Sequence, residues 1–228
     1  MTASRVLALV PLIISLPFLA SQSTLAADDE IRLTFLGTGA PRPSHDRYGP
    51  AILVEAGEYK IMVDAGPGMR ERLFQAGGFE LLTAVDHILI THLHFDHTIS
   101  APGLWLTGWL FGRTEPMKVF GPEGTSAMMA NFREAYSWDI DYRIAVGVHQ
   151  AGSEIIARDI ETGVFFDQDG LKITAFDVEH MPTNIETGES LGLHGATLGY
   201  RIDYRGRSVL FSGDTRSTPE SAIIDMGK

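Results

Sequence analysis

The sequence predicts an α/β protein in which β-sheets are covered by helices on their outer faces. Two observations support this class: runs with strand character alternate with helical segments, and turns containing glycine separate pairs of β runs as they do in hairpins. The 228 residues, of which 44% are hydrophobic and 21% charged, suit one domain with a sizeable core. The periodicity by itself leaves the topology of the sheets open.

The predicted elements of the N-terminal half begin after residue 30. The run IRLTFLGTG, residues 31–39, predicts a first strand and a Gly-rich turn, and a loop rich in Pro, Gly and Asp comes next. Residues 50–66 predict a β-hairpin whose turn lies near Gly57. A short helix follows over residues 67–78, with a proline near its start and a glycine pair at its end.

The remaining elements comprise a buried strand, further helices and a second hairpin. An apolar strand runs into the motif THLHFDH at residues 91–97, and the apolar segment 101–113 predicts a core helix. Periodic apolar residues predict another helix over 125–138, and residues 144–178 alternate in strand fashion. Residues 196–215 predict the second hairpin, which turns at its Arg-Gly pair.

Residues 1–26 have the pattern of a secretory signal peptide. A short, positively charged start precedes an apolar stretch, and small residues lead to an acidic exit, so we expect cleavage after Ala26. The alternative is a single transmembrane anchor, which Pro11, Pro17 and the short apolar length disfavour. We therefore expect a periplasmic or secreted protein with one domain over residues 27–228 and no membrane attachment after cleavage.

The amino-acid composition limits which ligands a metal site could use and which kinds of partner the chain could bind. The chain has no cysteine, so a metal site would have to use His, Asp, Glu and water as ligands. The formal net charge is −11, and cleavage of the leader removes Arg5 and no acid, which leaves 17 basic and 29 acidic residues, or −12. This balance predicts no broad nucleic-acid surface, although a local Arg or Lys contact to one anionic group stays open.

The motif THLHFDH concentrates three histidines and an aspartate directly after an apolar run. A buried histidine is costly and should have a partner. His92 and His94 are two residues apart, so on a strand they would point the same way, and Asp96 and His97 would follow in the turn. Imidazole and carboxylate donors suit zinc, and also iron or manganese. A packed or solvated histidine is the alternative for one such residue, but all four together favour a metal site.

Three further polar residues follow predicted β runs: His180 in VEH, Asp214 in SGDT and Asp64 in VDAGPG. Taken alone, each is more typical of a structural histidine, a capping group or a turn former. Functional groups nevertheless collect on the loops that follow strands in layered folds, so the three remain candidates for the same site.

The motifs LGTGAPRP, VDAGPG, THLHFDH, VEH, LGYRID and SGDT, in this order, resemble those of the metallo-β-lactamase fold superfamily. Within it they are most similar to the branch that contains ribonuclease Z and the ribonuclease Z-like periplasmic arylsulfatases. The resemblance runs from about residue 31 to the end of the chain. It implies an α/β fold, a four-layer αβ/βα sandwich, with two metals at one edge.

The resemblance also implies a role for each candidate residue. One metal would be held by His92, His94 and His180, the second by Asp96 and His97, and Asp214 would bridge both. Asp64 would lie behind the ligands and orient one of them or the loop. Two Zn²⁺ ions, with Fe or Mn as alternatives, would activate a bridging hydroxide as the nucleophile, and Asp96 and Asp214 are the candidate catalytic residues.

The chain departs from the family pattern after the SGDT motif. The family completes its second metal site with a histidine from a later strand, and no histidine follows Asp214 here. We therefore expect a C-terminally truncated domain, with a site completed differently as the alternative. Two loops that should border the metals carry candidate substrate contacts, namely Arg42, His45, Arg47 and His194, and the last of these also competes with His180 as a ligand.

The function expected from the sequence is an exported, zinc-dependent metallohydrolase. Its substrate is expected to be a small anionic ester with a phosphodiester or sulfate-ester bond, because the acidic charge and the lack of a basic arm argue against tRNA. A lactonase or β-lactamase-type hydrolase on the same metals is one alternative. A catalytically inactive metal-binding protein is the other, if Lys228 is the true end, and a homodimer stays open.

Overall fold

The computed structural model describes residues 29–180, 184, 186–187, 189, 197–216 and 222–228. The strands in these ranges are β1 (Ile31–Gly37), β2 (Ala51–Ala56), β3 (Tyr59–Val63), β4 (His87–Leu89), β5 (Met117–Gly121), β6 (Ile155–Asp159), β7 (Gly163–Gln168), β8 (Leu171–Asp177), β9 (Leu198–Tyr204) and β10 (Arg207–Phe211). The helices are α1 (Met69–Ala84), α2 (Phe95–Thr98), α3 (Ala101–Leu110), α4 (Thr125–Ala135), α5 (Ser137–Ala145) and α6 (Ala222–Met226), with a 3-10 turn at Ala151–Ser153. None of the helices described is long and apolar enough to cross a membrane.

The strands form two sheets. Strands β1 to β6 lie side by side in chain order; the first two pairings are antiparallel and the next three are parallel. Strands β7 to β10 form an antiparallel sheet in the order β10-β9-β8-β7. Because β3, β4 and β5 are parallel, the segments that follow them emerge at one edge of the first sheet. The candidate site lies at this edge.

Alternation along the strands divides the core into two parts. Met62 packs with Trp105 of α3 in a core between the first sheet and the helices. Ile61 and Leu89 pack with Tyr200 in a second core between the two sheets. The middle strands of the first sheet, β2 to β5, are therefore largely buried on both faces, as parallel strands usually are.

A helical contact also lies on the outer face of the second sheet. Tyr200 and Ile202 face the core, so Arg201 between them faces outward. Its guanidinium donates a hydrogen bond to the carbonyl of Met226 in α6. The layers of helices, sheet, sheet and helix confirm the predicted α/β sandwich class.

Both predicted hairpins are confirmed, and so is the predicted core helix, which begins at Ala101 and ends at Leu110, before the predicted residue 113. The first hairpin turns at Gly57, which has a φ of 56°. The second turns at Arg205 and Gly206, whose φ values of 45° and 84° are those of a two-residue primed turn.

Two predicted boundaries are wrong. The helix expected to end at the glycine pair does leave helical geometry at Gly78, where φ is 63°, but it resumes and runs to Ala84 because Leu82 packs into the core. The strand pattern expected from residue 144 begins only at Ile155. Residues up to Ala145 belong to α5, since Ile140 anchors that helix in the core.

Candidate metal centre

The histidine motif lies in a loop and a short helix that follow β4. The prediction that His92 and His94 stand on the strand is wrong, because β4 ends at Leu89. His94 is the last residue before α2, which carries Asp96 and His97. Backbone hydrogen bonds hold this segment against the loop after β3: the Ala65 amide donates to the His97 carbonyl over 2.7 Å. The donors are therefore fixed by loop packing rather than by strand geometry.

Three imidazoles converge on one point. His92 Nε2 lies 2.9 Å from His94 Nδ1, and His180 Nε2 lies 3.4 Å from the same His94 atom. All three ligand atoms lie within 4.8 Å of one another. A zinc ion held at about 2.0–2.1 Å by tetrahedral ligands places its nitrogen ligands about 3.4 Å apart, so the three rings are spaced as donors to one ion.

A second group of donors shares His92 with the first. His92, His97 and Asp214 also place their ligand atoms within 4.8 Å of one another. His97 Nε2 lies 3.6 Å from Asp214 Oδ1 and 3.8 Å from Asp96 Oδ2. The Asp214 side chain is 49% exposed, whereas Asp96 and His97 are buried. The accessible carboxylate of Asp214 thus lies beside both groups of histidines.

Asp64 organises the buried side of this centre. Its carboxylate accepts hydrogen bonds from the Thr91 amide at 2.8 Å, from the Thr91 hydroxyl at 2.9 Å and from His97 Nδ1 at 2.8 Å. Asp64 itself has a φ of 58°, the left-handed conformation that Asp and Asn adopt most readily among residues with a side chain. Thr91 was not among the residues predicted from the sequence, although its place immediately before the first histidine was a usable signal.

Loop contacts bring His180 and Asp214 to the motif from distant parts of the chain. The Arg216 amide donates to the Glu179 carbonyl at 2.8 Å, which ties the segment after β10 to the segment after β8. Gly213 has a φ of 56°, and a Cβ at this position would lie 2.8 Å from the Thr91 Cβ. A glycine is required here because the Asp214 loop passes directly over the threonine that holds Asp64.

The surroundings shift the pKa values of His92 and His97 in opposite directions. Burial, followed by the nearby charges of His97, His94 and His180, lowers the pKa of His92 to about 3. Burial would also lower the pKa of His97, but the adjacent carboxylates of Asp214 and Asp64 outweigh it and raise that pKa to about 10. Contact with His97 in turn lowers the pKa of Asp214 despite its burial. The acidic pocket around His97 is thus built to hold positive charge.

A buried nitrogen atom without a hydrogen-bond partner indicates whether these residues fit a metal. His97 Nε2 is buried and has no hydrogen-bond partner among the described residues, while its Nδ1 is held by Asp64. Leaving such a group unpaired is costly, and a cation between His97 Nε2 and the carboxylates of Asp96 and Asp214 would satisfy all three. A ring whose other nitrogen is fixed by a carboxylate is also the usual arrangement of a metal-ligating histidine. The residues present therefore fit divalent metal.

The candidate substrate contacts lie apart from these donors. Arg42, His45 and Arg47 are exposed in the loop between β1 and β2, and no hydrogen bond or ion pair joins them to the donor groups in the described part of the chain. His194 lies outside the described residues. Their roles, like those of the ligands, stay predictions.

Comparison with curated proteins identifies relatives of the chain. The ribonuclease Z of Mycolicibacterium paratuberculosis (strain ATCC BAA-968 / K-10) is 34% identical over 189 residues, which cover 81% of this chain and 63% of that protein. The chain thus spans somewhat less than two thirds of the length of this relative.

Solved structures share the fold. Human tRNase Z, short form, superposes with a TM-score of 0.59 at 21% identity, over 85% of this chain and 73% of that one. The zinc-bound PqqB of Methylobacterium extorquens superposes with a TM-score of 0.58 at 17% identity, over 82% of this chain and 67% of that one. These similarities show the fold, and the second neighbour holds zinc on it.

The relatives correct the expected partner. Proteins named ribonuclease Z and tRNase Z act, by those names, on RNA. The expectation of a small anionic ester and no nucleic-acid surface is therefore wrong. It rested on net charge, which averages over the whole surface and says little about a substrate held at one metal centre.

A family model settles the relationship. The model described as "Beta-lactamase superfamily domain" matches residues 59–228, which include all six candidate metal ligands. The match agrees with the motif order of the sequence and with the two-sheet fold. The chain belongs to the metallo-β-lactamase superfamily.

Proposed function

We propose that this chain carries the metal centre of a hydrolase that cleaves phosphodiester bonds in RNA. The observation that supports it most directly is the pair of donor groups that share His92, with the exposed carboxylate of Asp214 beside them. The relatives named ribonuclease Z support RNA as the substrate.

We assign two metal positions to the described donors. His92, His94 and His180 would hold one ion, while Asp96 and His97 would hold the other, with Asp214 contacting both. Nitrogen and carboxylate donors without thiolate suit zinc. Bound ions would supply Lewis-acid activation of water and stabilise charge on the phosphate oxygens.

The protein's own groups prepare this chemistry. Asp64 holds the proton of His97 on Nδ1, so that Nε2 is free to face the ion. Asp214 and His94 are the candidate ligands that are exposed to solvent, so the phosphate would approach from their side. A cavity of about 370 Å³ adjoins Asp64, His97 and Asp214 and offers room for a substrate group.

The test combines metal content with turnover of defined substrates. We expect about two zinc ions per chain and cleavage of an RNA oligonucleotide. Asp214→Asn should lower cleavage by at least about 100-fold, because the carboxylate beside both groups is lost. Asp141→Asn, on the exposed face of α5, is the matched control and should cleave normally.

Two outcomes would contradict the proposal. One is zinc binding with no cleavage of RNA at any salt concentration, and the other is full activity in Asp214→Asn. An aryl sulfate in the same assay tests the sulfate-ester activity expected from the sequence.

We further propose that the protein is exported to the periplasm or secreted. The leader pattern of residues 1–26 supports this proposal. Fractionation of cells, followed by mass spectrometry of the N-terminus, should find a chain that begins at Ala27 outside the cytoplasm. An intact N-terminus on cytoplasmic protein would refute it.

A further inference from the structure

A second cleft lies between the two sheets, away from the metal centre. Its volume of about 690 Å³ is in the range of small-molecule sites. The cleft reaches Tyr59 and His87, where β3 and β4 begin, whereas the donor cluster follows the ends of these strands. None of the donors of the metal centre is among the described residues that line this cleft, so the two places are distinct.

Aromatic rings form the apolar walls of this cleft. Tyr59 and Phe166 meet edge to face with ring centroids 5.6 Å apart, and Phe120 and Phe165 lie 5.3 Å apart. Tyr204 also lines the cleft. Flat aromatic surfaces of this kind favour stacked or edge-on contact with another planar ring.

A buried histidine that lines this cleft has one unpaired ring nitrogen. His87 is 3% exposed, and its Nδ1 lies 2.6 Å from Asp86 Oδ1. A carboxylate can only accept, so a proton of the ring lies on Nδ1 and is held by Asp86. Nε2 is buried and has no hydrogen-bond partner among the described residues. The metal centre makes no use of this histidine.

Four acidic and three basic side chains line the cleft, and one of the basic side chains is left to hold an anionic group. Lys118 is engaged by Asp86 at 3.4 Å, and Arg205 by Asp29 at 3.1 Å. Arg158 lines the cleft and forms no ion pair within the described ranges. The nearby acidic side chains of the cleft, such as Asp167, disfavour a polyanion.

We propose that this cleft binds a planar aromatic anion that carries a hydroxyl or amino group on its ring. The ring would contact the aromatic walls, its O–H or N–H would donate to His87 Nε2, and Arg158 would hold the anionic group. A free aromatic hydroxy acid and a mononucleotide share this chemistry. Binding in this cleft would not require the reaction at the metal centre.

The test is a calorimetric titration of the purified, zinc-loaded chain with 6-hydroxy-2-naphthoate and, separately, with AMP. We expect saturable binding of at least one of them. For the naphthoate, removal of the hydroxyl (2-naphthoate) or of the carboxylate (2-naphthol) should weaken binding by about fivefold or more. Arg158→Gln should weaken binding to a similar extent, while Arg207→Gln, an exposed arginine on β10, should bind as the unmodified chain does.

Two further measurements locate the ligand. Binding should shift the Nε2 resonance of His87 in nitrogen NMR, and it should persist in Asp214→Asn, because the metal centre is not involved. Tighter binding of the naphthoate would indicate an aromatic hydroxy acid as the ligand, and tighter binding of AMP would indicate a mononucleotide. The proposal would be overturned if neither compound binds or if Arg158→Gln binds normally. It would also be overturned if the His87 resonance does not move or if Asp214→Asn loses binding.

Discussion

Asp64→Asn tests whether the carboxylate behind the metal ligands orients His97. Asparagine has nearly the same shape and tolerates the left-handed backbone at this position, where φ is 58°. Its amide oxygen can still accept from Thr91. Its NH₂ group, however, would face His97 Nδ1, which now donates to the carboxylate over 2.8 Å. The substitution therefore removes one charge-assisted bond between buried groups and leaves the rest of the site in place.

The expected magnitudes follow from that single lost bond. A buried hydrogen bond to a charged group contributes about 1.5–3 kcal/mol, so the metal-free chain should lose about this much free energy of unfolding. The ring of His97 would no longer be held with its proton on Nδ1, and zinc affinity should fall by about 10–100-fold. Urea denaturation measures the first effect, and competition with a chromophoric chelator measures the second.

Asp141→Asn is the control for the loss of one negative charge, and it should change neither quantity. Unaltered zinc affinity in Asp64→Asn would refute the orienting role of Asp64. A large loss of stability with normal zinc affinity would show that Asp64 serves the fold alone.

Three further predictions concern protonation, backbone and core. The pKa of His97, about 10, keeps this residue charged in the metal-free chain, so zinc binding at pH 7 should release about one proton from it. The number of protons released should fall as the pH rises through 10. Calorimetry in buffers of different ionisation enthalpy measures that number. Gly213→Ala, whose methyl would lie 2.8 Å from a side-chain carbon, should cost about 1–3 kcal/mol and weaken zinc binding. Gly206→Ala, with open space around it, should cost only about 1 kcal/mol and leave zinc binding intact, and equal effects in both variants would contradict the steric argument. Trp105→Ala should cost about 3–5 kcal/mol in urea denaturation, whereas Trp138→Ala, 77% exposed, should cost under about 0.5 kcal/mol.

In the metal-free chain, the same protonation should appear in the pH dependence of stability. His97 has a raised pKa in the folded state, so its contribution is complete below the unfolded value of 6.5 and is lost as pH rises through about 10. The free energy of unfolding should therefore fall between these values, as urea denaturation across the series would show. A flat profile would argue against the charge on His97.

Local patterns predicted the elements whose geometry depends on neighbours in sequence. The turn at Gly57 and the Arg205–Gly206 turn follow from the backbone freedom that these positions need. The apolar run of α3 marked a core helix because few polar residues interrupt it. Boundaries were less predictable: the helix that breaks at Gly78 resumes because its later residues still have a core to pack against.

The motif THLHFDH predicts a metal site because closely spaced imidazoles and a carboxylate, three of these four donors buried, favour a cation between them. It could not predict the backbone that holds them. His92 and His94 were predicted to lie on a strand, but β4 stops at Leu89, and the Thr91 amide donates to the side chain of Asp64 instead of to a strand. A spacing of two residues predicts which side chains would share a face of a strand, but it does not predict where the pairing between strands ends.

The sequence by itself determined the kind of chemistry. It supplies closely spaced histidine and carboxylate donors and no cysteine, and its motifs match those of the metallo-β-lactamase superfamily. What only the tertiary structure decided was the assembly of the centre. His180 and Asp214 come to the motif through contacts between loops far apart in the chain, and the Asp64–Thr91–His97 hydrogen bonds leave Nε2 of His97 facing the carboxylates. Such contacts depend on the packing of two sheets in space, which no local pattern in the sequence encodes.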